Sequence, residues 1–313
     1  MPIIVRRSPG GYRTPRGSVV ETVQRALGAK GSPVPSVDGI FGNDTETALK
    51  AWQTKAGRPV TGTVDEKDWA ALTTAPLPSL FERCLQLTLA FEGHGYTKAA
   101  GNFDGAFLTW GIIGFTLKGG SLNLVINGIP RAVLDAALGA DKAKELLAIL
   151  EATMAEKEAW ANGISAGAQK AGLVKDWSDA FTRLGQTPEA QAAQRTVARD
   201  NYWGIAERDF RRYGLSDALD MALCFDTAVQ NGGINKAKAD LIQQRMAPLN
   251  PKPTGQARRE LMANAIADGS SERWRENVRR RRLTIATGDG EANGARYRLA
   301  DWGLTAQEGV VGV

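Results

Sequence analysis

The chain has 313 residues, 43% of them apolar and 23% charged, with 35 glycines and 13 prolines; this excludes a disordered or fibrous protein and suits two domains of roughly 150 residues. Its formal net charge of +5 fits an anionic surface or polymer without identifying one. A single histidine, His94, and two cysteines, Cys84 and Cys224, exclude a three-ligand zinc site or a Cys/His finger, and no Walker or G-x-G-x-x-G run is present. Carboxylate chemistry remains, with no cofactor and no metal expected.

The apolar run at Ile3-Ile4-Val5 is too short for a secretory signal, and no stretch approaches the roughly 20 apolar residues of a membrane span. The expectation is a protein that starts in cytoplasm, without membrane insertion and with Cys84 and Cys224 as buried free thiols.

Residues 1–17, rich in Pro, Gly and Arg, read as a flexible basic arm. Residues 18–73 read as a compact three-helix module. Val20, Val23 and Leu27 form one apolar stripe on a first helix, and Pro33 to Gly39 supplies turn chemistry. Ala48, Leu49 and Trp52 face the core from a second helix that Gly57 ends. Asp65 caps a third, which buries Trp69 and Leu72. The ordered string Asp38-Gly39-Ile40-Phe41-Gly42, Thr45, Ala48, Trp52-Gln53, preceded by Val23-Gln24 and Leu27, resembles the peptidoglycan-binding module of bacterial and phage cell-wall enzymes. The resemblance covers about 55 residues and implies glycan strands of peptidoglycan as partner; its motif residues are Asp38, Gly39, Phe41, Thr45 and Trp52.

Residues 74–78 carry Pro76 and Pro78 and read as a linker. Residues 79–313 form the second expected domain. Ser79 and Glu82 make a capping box, and Leu80, Cys84, Leu87 and Phe91 follow at helical spacing to Glu92-Gly93. A carboxylate at a helix carboxyl end, beside an apolar neighbour such as Phe91, is a suitable setting for the proton donor of a glycoside hydrolase, which needs a second carboxylate for the water or the anomeric carbon. An exposed glutamate at a frayed helix end is the plain alternative.

The segment Gly101 to Phe115 is rich in glycine, aromatic and β-branched residues, which predicts a small β-ribbon with tight turns. Here the sequence resembles the family 46 chitosanases, a branch of the lysozyme-like superfamily. In that family a helix-terminal glutamate precedes an Asp-Gly turn and Gly-Ile-Ile-Gly-Phe, matched here by Glu92, Asp104-Gly105 and Gly111 to Phe115. The resemblance implies Glu92 as general acid, Asp104 as general base and Thr109 as a holder of the attacking water in an inverting hydrolysis. The interval from Glu92 to Asp104 is shorter than in that family, and Phe107 and Trp110 stand where it has smaller or polar residues, on the expected cleft rim, where both are candidates for substrate contact.

Phe225 to Gly233 resembles the helix lining the opposite lobe of lysozyme-like clefts, which makes Asp226, Gln230 and Asn231 candidates for substrate contact. Asp226 pairing with an arginine such as Arg195 or Arg199, and Gln230 and Asn231 capping the helix, are the structural alternatives. Pro188 opens a long helix through Tyr202, Trp203, Phe210 and Tyr213, and Arg279 to Arg282 reads as a solvated or salt-bridged face, not a reader of nucleic acid. Asn293-Gly294 through Leu304 resembles a closing segment of cell-wall lytic enzymes.

The expected fold is mainly α, a three-helix peptidoglycan-binding module joined to a lysozyme-like α+β domain with a small β-ribbon beside the cleft. The two resemblances imply a monomeric phage-type endolysin that cleaves the β-1,4 bond between N-acetylmuramic acid and N-acetylglucosamine, held in host cytoplasm until release to the periplasm and wall. A lytic transglycosylase, a chitosanase and a non-enzymatic wall-binding protein are the alternatives.

Overall fold

The computed structural model describes residues 2–93 and 95–310; His94 lies outside the described residues. The protein is mainly helical, with four small antiparallel sheets among the described residues. It divides into two compact units, one made of residues up to Phe91 together with those from Tyr202 onward, the other of Glu92–Asn201.

The first unit begins with β1 (Ile3–Arg6), α1 (Ser18–Ala29), α2 (Asn43–Lys55), β2 (Thr63–Asp65) and α3 (Glu66–Leu72). The apolar stripe Val20, Val23 and Leu27 turns inward as its spacing predicts, against Phe41, Leu49, Trp52, Trp69 and Leu72. Asp65 caps α3 through its Oδ1, which accepts from Asp68 N at 2.7 Å.

The flexible arm expected over residues 1–17 is a correction. Ile3–Arg6 pairs antiparallel with β2 and buries Ile4 and Val5 in the module core. Downstream, Arg6 Nε donates to Asp301 Oδ1 at 2.6 Å, Tyr12 Oη to Asp289 Oδ2 at 3.0 Å and Arg13 N to Arg296 O at 2.6 Å. Four residues of strand between prolines and glycines carry too little periodicity to be read from sequence; the partner strand and these polar anchors order the segment.

Then comes α4 (Leu80–Glu92), opened by the expected capping box: Ser79 N donates to Glu82 Oε2 at 2.8 Å, and Glu82 N to Ser79 Oγ at 3.3 Å.

The second unit carries the expected ribbon as a three-stranded antiparallel sheet in the order β3 (Ala99–Ala100), β4 (Thr109–Trp110), β5 (Phe115–Thr116). Helices α5 (Ser121–Asn127), α6 (Arg131–Leu138), α7 (Ala140–Glu151) and α8 (Met154–Ile164) follow. A hairpin of β6 (Ser165–Ala166) and β7 (Gly172–Leu173) precedes α9 (Lys175–Gly185) and α10 (Pro188–Ala198). The long helix predicted from Pro188 to Tyr213 is two α-helices separated by a π-helical turn, Arg199–Trp203.

The first unit resumes with α11 (Gly204–Arg212), α12 (Ala218–Asn231), α13 (Lys236–Met246), α14 (Gly255–Asp268) and α15 (Arg275–Thr287). Helix α12 is buried continuously from Ala218 to Ala228, so its polar residues must be satisfied inside the protein. The hairpin β8 (Asp289–Ala292) and β9 (Ala295–Arg298) turns at Asn293-Gly294, with φ of 51° and 73°, the left-handed pair that a two-residue hairpin requires. A 3-10 turn, Leu299–Trp302, follows. Cys84 and Cys224 are free and buried, and burial pushes both thiols up from their ordinary value. Among the described residues no helix is long and apolar enough to cross a membrane.

Candidate active site

Glu92 is the last residue of α4, and Gly93 stops the helix in the left-handed conformation, φ 66°. The carbonyls ending a helix lack intrahelical partners. Two are met by the β8–β9 hairpin: Tyr297 Oη donates to Ala90 O at 3.1 Å and Asn293 Nδ2 to Phe91 O at 2.7 Å. The Phe91 ring lies 4.6 Å from that of Tyr297, and the Arg281 guanidinium stands 5.0 Å over it. Within the first unit, α4 is therefore held at Ala90 and Phe91 by residues some two hundred positions away. The Asn-Gly dipeptide was a visible hairpin signal; the destinations of Asn293 and Tyr297 were not.

Glu92, Asp104 and Thr109 all belong to the second unit. Asp104 is exposed on the loop between β3 and β4, and its Oδ1 accepts from Ala106 N at 3.0 Å, an Asx turn that fixes the side chain. Asn102 organises the same loop: its Oδ1 accepts from Phe107 N at 3.0 Å, its Nδ2 donates to Asn162 Oδ1 at 3.1 Å, and its N donates to Ser165 Oγ at 2.9 Å. Thr109 is partly exposed on β4, paired with Ala100 and Thr116.

Beneath the ribbon lies Gln194 of α10, fully buried. Its Oε1 accepts from Ile112 N at 3.0 Å and its Nε2 donates to Tyr96 O at 3.1 Å, tying the turn after Thr109-Trp110 to the segment after Glu92. Gly111 is the residue this requires. Its φ is 86°, and a Cβ there would meet Gln194 Oε1 at 2.3 Å. The only sequence signal for Gln194 was a polar residue on the face shared with Ala190, Ala193 and Val197.

Several expected substrate contacts are corrected. Trp110 is fully buried with its ring 5.4 Å from Phe181, and Phe107 is turned inward beneath Lys118, whose Nζ lies 5.2 Å from the ring. Both aromatics serve the core because strand pairing and the positive φ of Phe107, 73°, aim them there. The exposed aromatic of this loop is Phe103, 52% accessible, beside Asp104.

Asp226, Gln230 and Asn231 lie in the first unit. Asp226 is fully buried: its Oδ2 accepts from Arg281 Nε at 2.8 Å, and its Oδ1 from Arg281 Nη2 at 2.6 Å and Thr88 Oγ1 at 3.0 Å. Arg282 Nη1 also pairs with it, and Arg282 Nη2 donates to Gln230 Oε1 at 2.9 Å and Asn231 Oδ1 at 3.0 Å. Burial alone raises the Asp226 carboxyl, but the two guanidiniums override it and hold the group below its ordinary value. Direct sugar contact by Asp226 is thus replaced by a structural ion network, and Gln230 and Asn231 are bound into it. The arginines that hold it come from the run at 279–282; Arg195 instead stacks over Tyr96, 5.9 Å from its ring.

In the N-terminal module, the motif residues build the fold. Gln24, buried, donates from Nε2 to Asp38 Oδ1 at 2.8 Å, Ile40 O at 3.1 Å and Thr45 Oγ1 at 2.9 Å, and its Oε1 accepts from Gly39 N at 2.8 Å. Phe41 and Trp52 are core. Gln53 repeats the device, accepting from Thr61 N and Gly62 N at 3.1 and 3.0 Å and donating to Thr63 O at 3.0 Å.

Residues 16–72 match the family described as a putative peptidoglycan binding domain. Among curated proteins, no sequence match to the chain was found. The fold is similar to that of a mutant chitosanase from Bacillus subtilis MY002 complexed with six GlcN, with a TM-score of 0.51 at 20% identity over 69% of this chain and 96% of that one. The native chitosanase from the same source aligns with a TM-score of 0.45 at 21% identity, over 66% of this chain and 85% of that one. The chain therefore joins a peptidoglycan-binding-type module to a chitosanase-like fold.

Proposed function

We propose that the protein is a peptidoglycan hydrolase of the endolysin type, cleaving the β-1,4 bond between N-acetylmuramic acid and N-acetylglucosamine. The observation that carries this reading is the peptidoglycan-binding family match over residues 16–72 in a chain whose fold is similar to that of a glycan-cleaving enzyme. Glu92 gives its proton to the glycosidic oxygen as the bond from that oxygen to the anomeric carbon breaks. Asp104 takes a proton from a water, held by Thr109, whose oxygen bonds to the same carbon from the opposite face. The module keeps the enzyme on an insoluble, repetitive polymer, so that a weakly binding site meets a high local concentration of bonds. Release from host cytoplasm to the wall completes this endolysin reading.

Muropeptide analysis of digested sacculi tests it. Hydrolysis leaves reducing N-acetylmuramic acid ends, whereas 1,6-anhydro ends would assign the reaction to a lytic transglycosylase. Glu92→Gln and Asp104→Asn are each expected to slow product release by about 10²–10⁴-fold; a Glu92→Gln variant as active as the parent would overturn the assignment. The fold likeness favours a second reading, hydrolysis of a glucosamine polymer, and turnover on chitosan without turnover on cell wall would select it.

A further inference from the structure

Of the five motif residues of the N-terminal module, Gly39, Phe41, Thr45 and Trp52 are buried in its own fold, and Asp38 is exposed. Between α1 and the end of α3 is an open cavity of about 470 Å³ that no motif residue lines, within the roughly 300–1,000 Å³ range of small-ligand clefts. Ala26 and Ala70 give it a shallow apolar lining, Thr22 and Thr74 bring hydroxyls, and Arg25 and Lys30 bring positive charge. Both cations are exposed, and neither side chain is engaged by a carboxylate among the described residues. By contrast, Arg7 and Lys50 share Glu46, and Arg58 is held by Asp68. Two uncompensated cations at one small apolar concavity form a receptor for a carboxylate carried on a small aliphatic group.

We propose that this cavity binds the stem peptide of peptidoglycan, with Arg25 and Lys30 taking its carboxylates and the alanines meeting its alanine-sized side chains. The inference rests on the module being a peptidoglycan binder and names which part of the polymer it reads. The N-acetylated glycan backbone is uncharged and offers the two cations nothing to neutralise, whereas the peptide carries several carboxylates.

Calorimetric titration of the full chain with a soluble stem tetrapeptide and, separately, with a chitotetraose tests this, alongside co-sedimentation with intact sacculi. The tetrapeptide is expected to bind, and whatever binding the full chain shows toward the neutral sugar is expected to be unchanged by substitution of Arg25 or Lys30. Arg25→Ala and Lys30→Ala are each expected to weaken peptide binding by about tenfold, with Arg25→Lys restoring part of the loss and added salt weakening the parent. Sacculi binding without tetrapeptide binding, or a double variant that binds the peptide as the parent does, overturns this inference alone. Loss of sacculi binding by the parent overturns the peptidoglycan reading beneath it as well.

Discussion

Gln24 in the N-terminal module and Asp226 in α12 each gather several polar partners inside the first unit, one through a neutral amide and the other through charge. The Gln24 partners Asp38 and Thr45 lie 14 and 21 positions away and include the backbone of Gly39 and Ile40. Asp226 reaches Arg281 at a separation of 55 and Thr88 at 138. The amide hub is one contiguous motif that stitches a loop to a helix. The ionic hub joins three distant helices, and each of its members needs the others to be buried at all.

The largest expected effect tests that dependence. Asp226→Ala leaves two guanidiniums in the interior without their shared carboxylate and is expected to cost about 3–5 kcal/mol, read as a lower midpoint in urea. A loss below about 1 kcal/mol would show that the pairing contributes little. Acid sharpens the same point. Because Arg281 and Arg282 hold the folded-state carboxyl below its ordinary value against the opposing pull of burial, its stabilisation is fully present above the unfolded value of about 3.9 and is lost as pH falls through the lower folded value. The stability gap between the parent and Asp226→Asn should therefore be constant from about pH 5 to 7 and shrink below about pH 4. A gap independent of acid down to the parent's unfolding would mean that the charge is not what matters.

Gln24→Leu should cost less, about 1–3 kcal/mol, since it orphans the Gly39 N–H and the Asp38 and Thr45 groups but no buried charge. It should show no acid-dependent gap of its own. If it destabilises the unit as much as Asp226→Ala, the distinction between amide and ionic hubs fails.

The same contrast explains what the sequence disclosed. The Val20, Val23, Leu27 stripe, the Asp65 cap, the Ser79-Glu82 box and the β-ribbon were legible because each is decided within a few residues by spacing or local hydrogen bonding. Glu92 at its helix end and the Asp104-Gly105 turn were legible for the same reason. The paired strand at Ile3–Arg6, the inward turn of Trp110 and the partners of Asp226 depend on residues brought together only by folding. An aromatic beside a candidate catalytic loop has no sequence mark that separates core from rim; Phe103 lies exposed in the loop and Trp110 is buried on β4. Arg281 and Arg282 looked like part of a charged face because four consecutive arginines read as one block, with no local mark that separates the buried pair from exposed Arg280.

Gln194 belongs to neither class, since it is an amide hub whose partners Tyr96 and Ile112 lie 98 and 82 positions away, and it supplies the finest test. If an amide hub costs little because it is neutral, and not because its partners are local, Gln194→Ala should resemble Gln24→Leu, at about 1–3 kcal/mol. Gly111→Ala should cost a comparable amount for two separable reasons: an unfavourable φ of 86° and a Cβ driven into Gln194 Oε1. In the double variant the clash disappears and the backbone strain stays, so the two losses should fall short of additive by about 1 kcal/mol in a denaturation cycle. Additive losses would place the whole cost of Gly111→Ala in the backbone. Glycine would then be present at this turn for its conformation alone, and not because the amide of Gln194 must pass so close beneath the ribbon that carries Thr109.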